Sequence, residues 1–137
     1  MDIKNLSKII VEFYEKLSSW EESVVKDSGL TTTQAHTIEI VGHAKSIKMK
    51  DLAEKTGVTT GTLTVAVDRL EKKKMLVRKP HEKDRRSYLI ELTEEGKKRF
   101  REHHNFHIKM TEELVSGLTE EEQDHFAEMI DKVLVKI

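Results

Sequence analysis

The stretch Thr59–Arg86, TTGTLTVAVDRLEKKKMLVRKPHEKDRR, decides how the rest of the chain is read. It reads as a helix followed at once by a basic hairpin. A threonine hydroxyl at Thr59 or Thr60 can accept from a free amide of the first helical turn. Leu63, Val67 and Leu70 fall at i, i+4 and i+7, so one face is apolar. The other face carries Thr60, Thr62, Thr64, Val65, Asp68 and Arg69. Small hydrogen-bonding side chains let a helix approach base edges in a major groove, and cations meet the phosphates. An ordinary amphipathic surface helix shows the same periodicity.

The 137 residues suffice for one domain with a modest core. There is no cysteine, which excludes a disulfide framework and a thiol redox sensor. One proline, few glycines and long runs of helical period predict a mainly α protein with a small β-hairpin. No apolar run approaches the roughly 20 residues that span a bilayer. The N-terminal MDIKNLSKII lacks a signal-peptide core, so a cytoplasmic protein is expected.

The net charge of -1 hides an asymmetry. Residues 45–101 hold 17 Lys/Arg against 9 Asp/Glu, and the remainder holds 7 against 16. A basic middle between acidic ends suits a polyanion-binding module on a separate scaffold.

Ile3, Leu6, Ile10, Phe13, Leu17, Trp20 and Val24 predict a helix from Asp2 to about Lys26. Ile9, Val11 and Tyr14 widen its apolar face, which needs a partner either in its own subunit or in a second copy. Lys26–Gly29 breaks the pattern. Thr31–Gly42 is a second helix, with Ile38 and Val41 facing a core and Leu30 ahead of it as a staple. His43–Ser46 connects to Ile47, a short strand. Lys48 or Met49 to Lys55 is a short helix ended by a left-handed Gly57. With the Thr59 helix it forms a helix-turn-helix.

Val77–Lys79 and Ser87–Leu92 read as the two strands of a wing, with Pro80–Arg86 at its tip. Lys79, His81, Lys83, Arg85 and Arg86 crowd that tip, and such a density of cations suits a polyanion. Thr93 caps a helix to about Val115. A capping box at Thr119–Glu122 opens the last helix, to about Lys136, with Phe126, Met129, Ile130, Val133 and Leu134 inward.

This order of elements resembles the MarR family of winged-helix transcriptional regulators. The resemblance covers essentially the whole chain. Its specific part carries GTLT (Gly61–Thr64), DRLEKK (Asp68–Lys73), Asp84-x-Arg86 and LTEEG (Leu92–Gly96). It implies one MarR-type domain over residues 1–137. Residues 31–92 would form the DNA-binding lobe, and residues 1–30 and 93–137 the dimerisation helices. It implies a homodimer, a pseudo-palindromic operator in double-stranded DNA, and a small effector. Thr60, Thr62, Thr64, Val65 and Arg69 match the major-groove face. Lys83, Arg85 and Arg86 match the wing, with Arg86 entering the minor groove and Asp84 orienting it; a bare surface ion pair is the plainer reading of that couple. Many members have glycine where Lys74 stands, and a left-handed turn there carries a cost for lysine. GTLT is most similar to the peroxide-sensing branch, but without cysteine that chemistry is excluded.

A second constellation is histidine-rich. His103 and His107 are i, i+4 on one helix and share a face. Imidazoles at that spacing can supply two of the roughly four ligands that Zn²⁺ takes. Gln34-Ala35-His36 and an early acid, Glu21 or Glu22, complete a resemblance to the zinc-responsive MarR branch. Metal ligation by Glu21, Glu22, His36, His103 and His107 is one expectation; histidines lining a cleft or a solvent face without metal is the other.

An enzyme is not expected. There is no HExxH and no glycine-rich phosphate loop. Only Glu122-x-x-His125 fits a pattern that a di-iron bundle repeats on facing helices. A protein-interaction module would leave the cationic hairpin without a purpose.

Overall fold

A computed structural model describes residues 1–83 and 87–137. It divides into two units, Met1–His103 and His104–Ile137. The elements are α1 (Ile3–Ser28), α2 (Thr32–Ala44), β1 (Ile47–Lys48), α3 (Met49–Thr56), α4 (Thr60–Lys72), β2 (Leu76–Pro80), β3 (Tyr88–Leu92), α5 (Glu94–Val115) and α6 (Glu120–Leu134). The fold is thus mainly helical with a small three-stranded antiparallel sheet, and the unit boundary falls within α5. No helix among the described residues is long and apolar enough to cross a membrane.

In the first unit the sheet order is β1-β3-β2. Ile47 pairs with Ile90, while Leu76 pairs with Leu92 and Arg78 with Ile90. This register turns Leu76, Ile90 and Leu92 toward one face, where they meet Leu63, Val67 and Leu70 of α4 and Ile38 and Val41 of α2. Leu63, Val67 and Leu70 are fully buried, as their spacing predicted. Burial of such side chains contributes roughly 1.5–3 kcal/mol each. Leu52 of α3 completes the contact between the two short helices.

The helix ends follow from local chemistry. Thr31 and Gln34 form a reciprocal capping box on α2. Gly57 takes φ +69 and its N–H donates to the Ala53 carbonyl. At the end of α4, Met75 N–H donates to the Leu70 carbonyl and Lys74 N–H to that of Glu71. That is a Schellman pattern, and it places Lys74 at φ +61. The left-handed turn that glycine usually fills is therefore made by lysine. Gly96 is where α5 comes closest to that turn. A Cβ there would lie 2.1 Å from the Met75 carbonyl oxygen.

Among the side chains that tie the helices of the first unit together are Lys73 and Arg99. Lys73 Nζ donates to the Gly29 carbonyl and to Gln34 Oε1, both at 3.3 Å. Arg99 donates to the Ser28 carbonyl at 3.1 Å.

In the second unit α6 starts with the capping box of Thr119 and Glu122. Gln123 donates to the carbonyls of Val115 and Leu118, fixing the connection between helices. The apolar stripe of α6 is not inward within this chain. Phe126, Met129, Ile130, Val133 and Leu134 are all exposed. The periodicity had identified an apolar face correctly but not what covers it.

Candidate nucleic-acid interface

The outward face of α4 is organised by its cap. Thr59 Oγ1 accepts from Thr62 N–H at 3.2 Å and lies 2.9 Å from Thr62 Oγ1. Thr64 Oγ1 donates to the Thr60 carbonyl at 2.8 Å, leaving its oxygen able to accept. Thr60, Thr62, Thr64, Val65 and Arg69 are exposed. Val65 presents half its surface, an apolar group of the kind that meets a thymine methyl. Arg69 forms no ion pair among the described residues. The face therefore offers hydroxyl acceptors, one apolar contact and one unengaged guanidinium.

Asp68, assigned to the same face by spacing, has another task. It binds the Arg78 guanidinium, which also approaches Glu71 at 3.9 Å. This contact joins α4 to β2, so helix and hairpin present their outer surfaces as one piece. The hairpin is itself braced across its strands, where Lys79 binds Glu91 at 2.9 Å and Ser46 donates to the same carboxylate. The Lys79 hydrogen bond, aided by its charge, by Ser46 and by Lys97, holds the Glu91 carboxyl below the usual glutamate range despite an opposing cost of burial.

Lys83 is exposed near the tip, and its N–H donates to His81 Nδ1 at 3.2 Å. Asp84, Arg85 and Arg86 lie outside the described residues. Below the tip, sequence spacing had missed a second group of polar residues. Lys48 and Lys50 from the start of α3, Arg78 from β2 and Tyr88 from β3 line a common hollow with Thr64. Their separation along the chain conceals this grouping, which depends on the pairing of β1 with β3.

The histidine constellation is brought together in part. His103 Nε2 lies 2.8 Å from Glu21 Oε1 and 3.5 Å from Glu39 Oε2. His103 and Glu39 are largely buried, at 12% and 15% side-chain exposure. Thus α2 brings Glu39, rather than His36, beside His103. His36 and Glu22 are exposed and form no ion pair among the described residues. His107 follows one turn later on α5, in the second unit. Two carboxylates and an imidazole nitrogen suit a divalent cation, and the same contacts also serve as a bridge from α5 to α1 and α2 without one.

A further hollow of about 410 Å³ is lined by Val41, Leu92 and Phe100 together with Lys45, Lys97, Arg101 and Glu91. Gly42 allows the Phe100 ring to lie against α2, because a Cβ there would fall 2.2 Å from the ring.

The MarR family profile matches residues 30–88, which contain α2 through the start of β3. Over 135 residues the chain is 28% identical to the HTH-type transcriptional regulator MhqR of Bacillus subtilis, covering 97% of this chain and 93% of that one. A crystal structure of Streptococcus pneumoniae FabT in complex with DNA superposes with a TM-score of 0.88 at 25% identity, covering 97% and 95% of the two chains. Wild-type MarR from E. coli, in its apo form, shares the fold with a TM-score of 0.76 at 24% identity, covering 98% and 97%. Residues 30–88 thus match the MarR family profile, and nearly the whole chain is similar to transcriptional regulators of that family.

Proposed function

We propose that the chain acts in the cytoplasm as a homodimeric repressor that binds a pseudo-palindromic site in double-stranded DNA. Each copy places α4 in a major groove and its hairpin against the adjacent backbone or minor groove. The observation that carries this reading is the exposed Thr60, Thr62, Thr64, Val65 and Arg69 face, joined to the basic hairpin through Asp68 and Arg78. Arg86, oriented by Asp84, serves as the minor-groove guanidinium, with Lys83 and Arg85 at the phosphates. The DNA complex of the FabT relative supports the same use of the fold.

Two copies follow from the apolar surface left uncovered. Ile3, Ile10 and Tyr14 of α1, and Met129, Val133 and Leu134 of α6, are more than half exposed in the single chain. Residues 1–30 and 93–137 supply the dimerisation helices in this reading. A dimer places two α4 helices about one helical turn apart on DNA. A small organic effector releases the duplex by favouring a different spacing of the two helices. The hollow floored by Phe100 and rimmed by Lys45, Lys97, Arg101 and Glu91 offers such an effector an apolar floor and a charged rim.

The test is binding to a duplex selected from a random pool by the wild-type chain. Thr64→Ala and Arg69→Ala should each weaken the selected duplex by about 1–3 kcal/mol and a scrambled duplex by less. Equal losses on both duplexes would remove these residues from the base-reading set.

A second reading, of Zn²⁺ as the effector, is favoured by the convergence of Glu21 and Glu39 on His103. In it Glu21, Glu39 and His103 of the first unit hold the ion, with Glu22 and His36 outside the group. Zinc titration of the metal-free protein should change duplex affinity, and His103→Ala should abolish the change. An affinity indifferent to Zn²⁺ and to chelator would refute it.

A further inference from the structure

We propose that the hollow between the first turn of α3, the middle of α4 and the loop end of the hairpin strands seats a backbone phosphate of the duplex. Lys48 and Lys50 hold the phosphate, and Tyr88 donates its hydroxyl. The inference rests on the duplex-binding reading above and extends its contact surface to residues outside the recognition helix and the hairpin tip.

The hollow measures about 550 Å³, enough for a phosphodiester with part of a flanking sugar. Three of its lining side chains are cationic, Lys48, Lys50 and Arg78. Three carry hydroxyls, Thr64, Ser87 and Tyr88. None of its described lining residues is acidic. The three cations are not equivalent. Arg78 is engaged by Asp68 and Glu71. Lys48 and Lys50 are exposed and form no ion pair among the described residues. Two such charges on one wall repel each other until an anion sits between them. Lys48 also occupies the N-cap position of α3 without making a side-chain cap, so the amides of that turn add to the same preference for negative charge.

Position favours a duplex phosphate over a small free anion. Thr64 belongs both to the wall of this hollow and to the outward face of α4. A phosphate seated here lies beside the residues that reach base edges. Lys48 is held by its pairing with Leu89, and Arg78 by its pairing with Ile90, so cations on both sides of β3 are set by sheet register rather than by a loop. Contacts of this kind fix where a helix lies along a groove and carry no base preference of their own.

The experiment compares the wild-type chain with Lys48→Ala/Lys50→Ala, with Tyr88→Phe and with Lys26→Ala/Lys98→Ala. The last removes the same charge from exposed positions on α1 and α5 that are not among the apolar residues proposed to join the two copies. Fluorescence anisotropy measures affinity for the selected and scrambled duplexes from about 50 to 200 mM salt. Loss of one phosphate per protomer lowers the log–log salt slope of a dimer by about 2. We expect that drop for Lys48→Ala/Lys50→Ala, with both duplexes weakened by the same factor. Tyr88→Phe should weaken both duplexes with the slope retained. The Lys26/Lys98 variant should behave as wild type.

A wild-type slope in Lys48→Ala/Lys50→Ala, in protein with an unchanged thermal midpoint, would overturn the seat and leave the duplex reading standing. So would an equal slope loss in the Lys26/Lys98 variant. A wild-type chain that binds neither duplex at low salt would overturn the duplex reading, and the seat with it.

Discussion

Replacing Gly96 by alanine adds one methyl group and should destabilise the first unit severely. Gly96 is buried in the first turn of α5. An ideal Cβ there lies 2.1 Å from the Met75 carbonyl oxygen, 3.1 Å from its carbon and 3.2 Å from Leu92 Cβ. Relief needs a separation of more than an ångström between two backbone segments, since no flexible side-chain end is available to swing aside. Those segments are tied directly together. Thr93 N–H donates to the same Met75 oxygen at 3.0 Å, and Thr93 Oγ1 donates to the Lys74 carbonyl at 2.6 Å. Moving α5 away weakens both bonds, at about 1 kcal/mol each. Overpacking adds about 1–3 kcal/mol. The sum, about 3–5 kcal/mol, is a large part of the roughly 5–15 kcal/mol that holds a domain folded. Urea denaturation at fixed protein concentration should show the midpoint falling with an unchanged m-value. The thermal midpoint should drop by roughly 10 °C or more. Gly117→Ala, where a Cβ meets nothing within 4 Å, is the control. If Gly96→Ala stays within about 0.5 kcal/mol of wild type, the close approach of α5 to the Lys74 turn is wrong.

Lys74→Gly should raise stability by about 0.5–1 kcal/mol in the same urea assay. A left-handed lysine costs about 1–2 kcal/mol, partly offset by glycine's greater freedom when unfolded; a loss of stability would show that the lysine side chain matters more than its backbone. Glu91 makes stability depend on acid pH. Its folded pKa is depressed, so its contribution is complete above the ordinary value of 4.5 and is lost as pH falls through the lowered value. Glu91→Gln should therefore flatten the acid limb of the stability curve below about that pH, and an unchanged limb would refute the Lys79 bridge as its cause.

Periodicity located most elements to within two residues because the forces it reads are local. Leu63, Val67 and Leu70 were legible as a core face, and so was the threonine cap that starts their helix. Ala66 lies on the same side and is also buried, but an alanine carries too little apolar weight for spacing to single it out. Charge was harder to read. Asp68 and Arg69 are neighbours with equal sequence claims to the outward face, yet Asp68 is taken up by Arg78 ten residues on, across a turn whose geometry depends on a left-handed lysine. Lys48, Lys50 and Tyr88 gave no sequence signal, because strand register alone brings them together. In the histidine group, the motif Gln34-Ala35-His36 drew the eye to His36, whereas the residue of α2 beside His103 is Glu39.

The apolar residues show why the fold was easier to read than its assembly. The core residues of α2, α3, α4 and the sheet are at most 8% exposed and find their partners within one chain. Many apolar residues of α1 and α6 repeat with equally regular spacing but remain exposed, Val133 at 59% and Ile10 at 56%. Periodicity reports that a face is apolar and says nothing about which chain covers it. The same distinction bears on the proposed mechanism. A first unit whose core closes within itself can keep α4 and the hairpin in one arrangement, while in the proposed dimer an interface made from α1 and α6 would set the distance between two copies. An effector that alters the second without unfolding the first would change affinity for a two-site duplex and leave the recognition face intact.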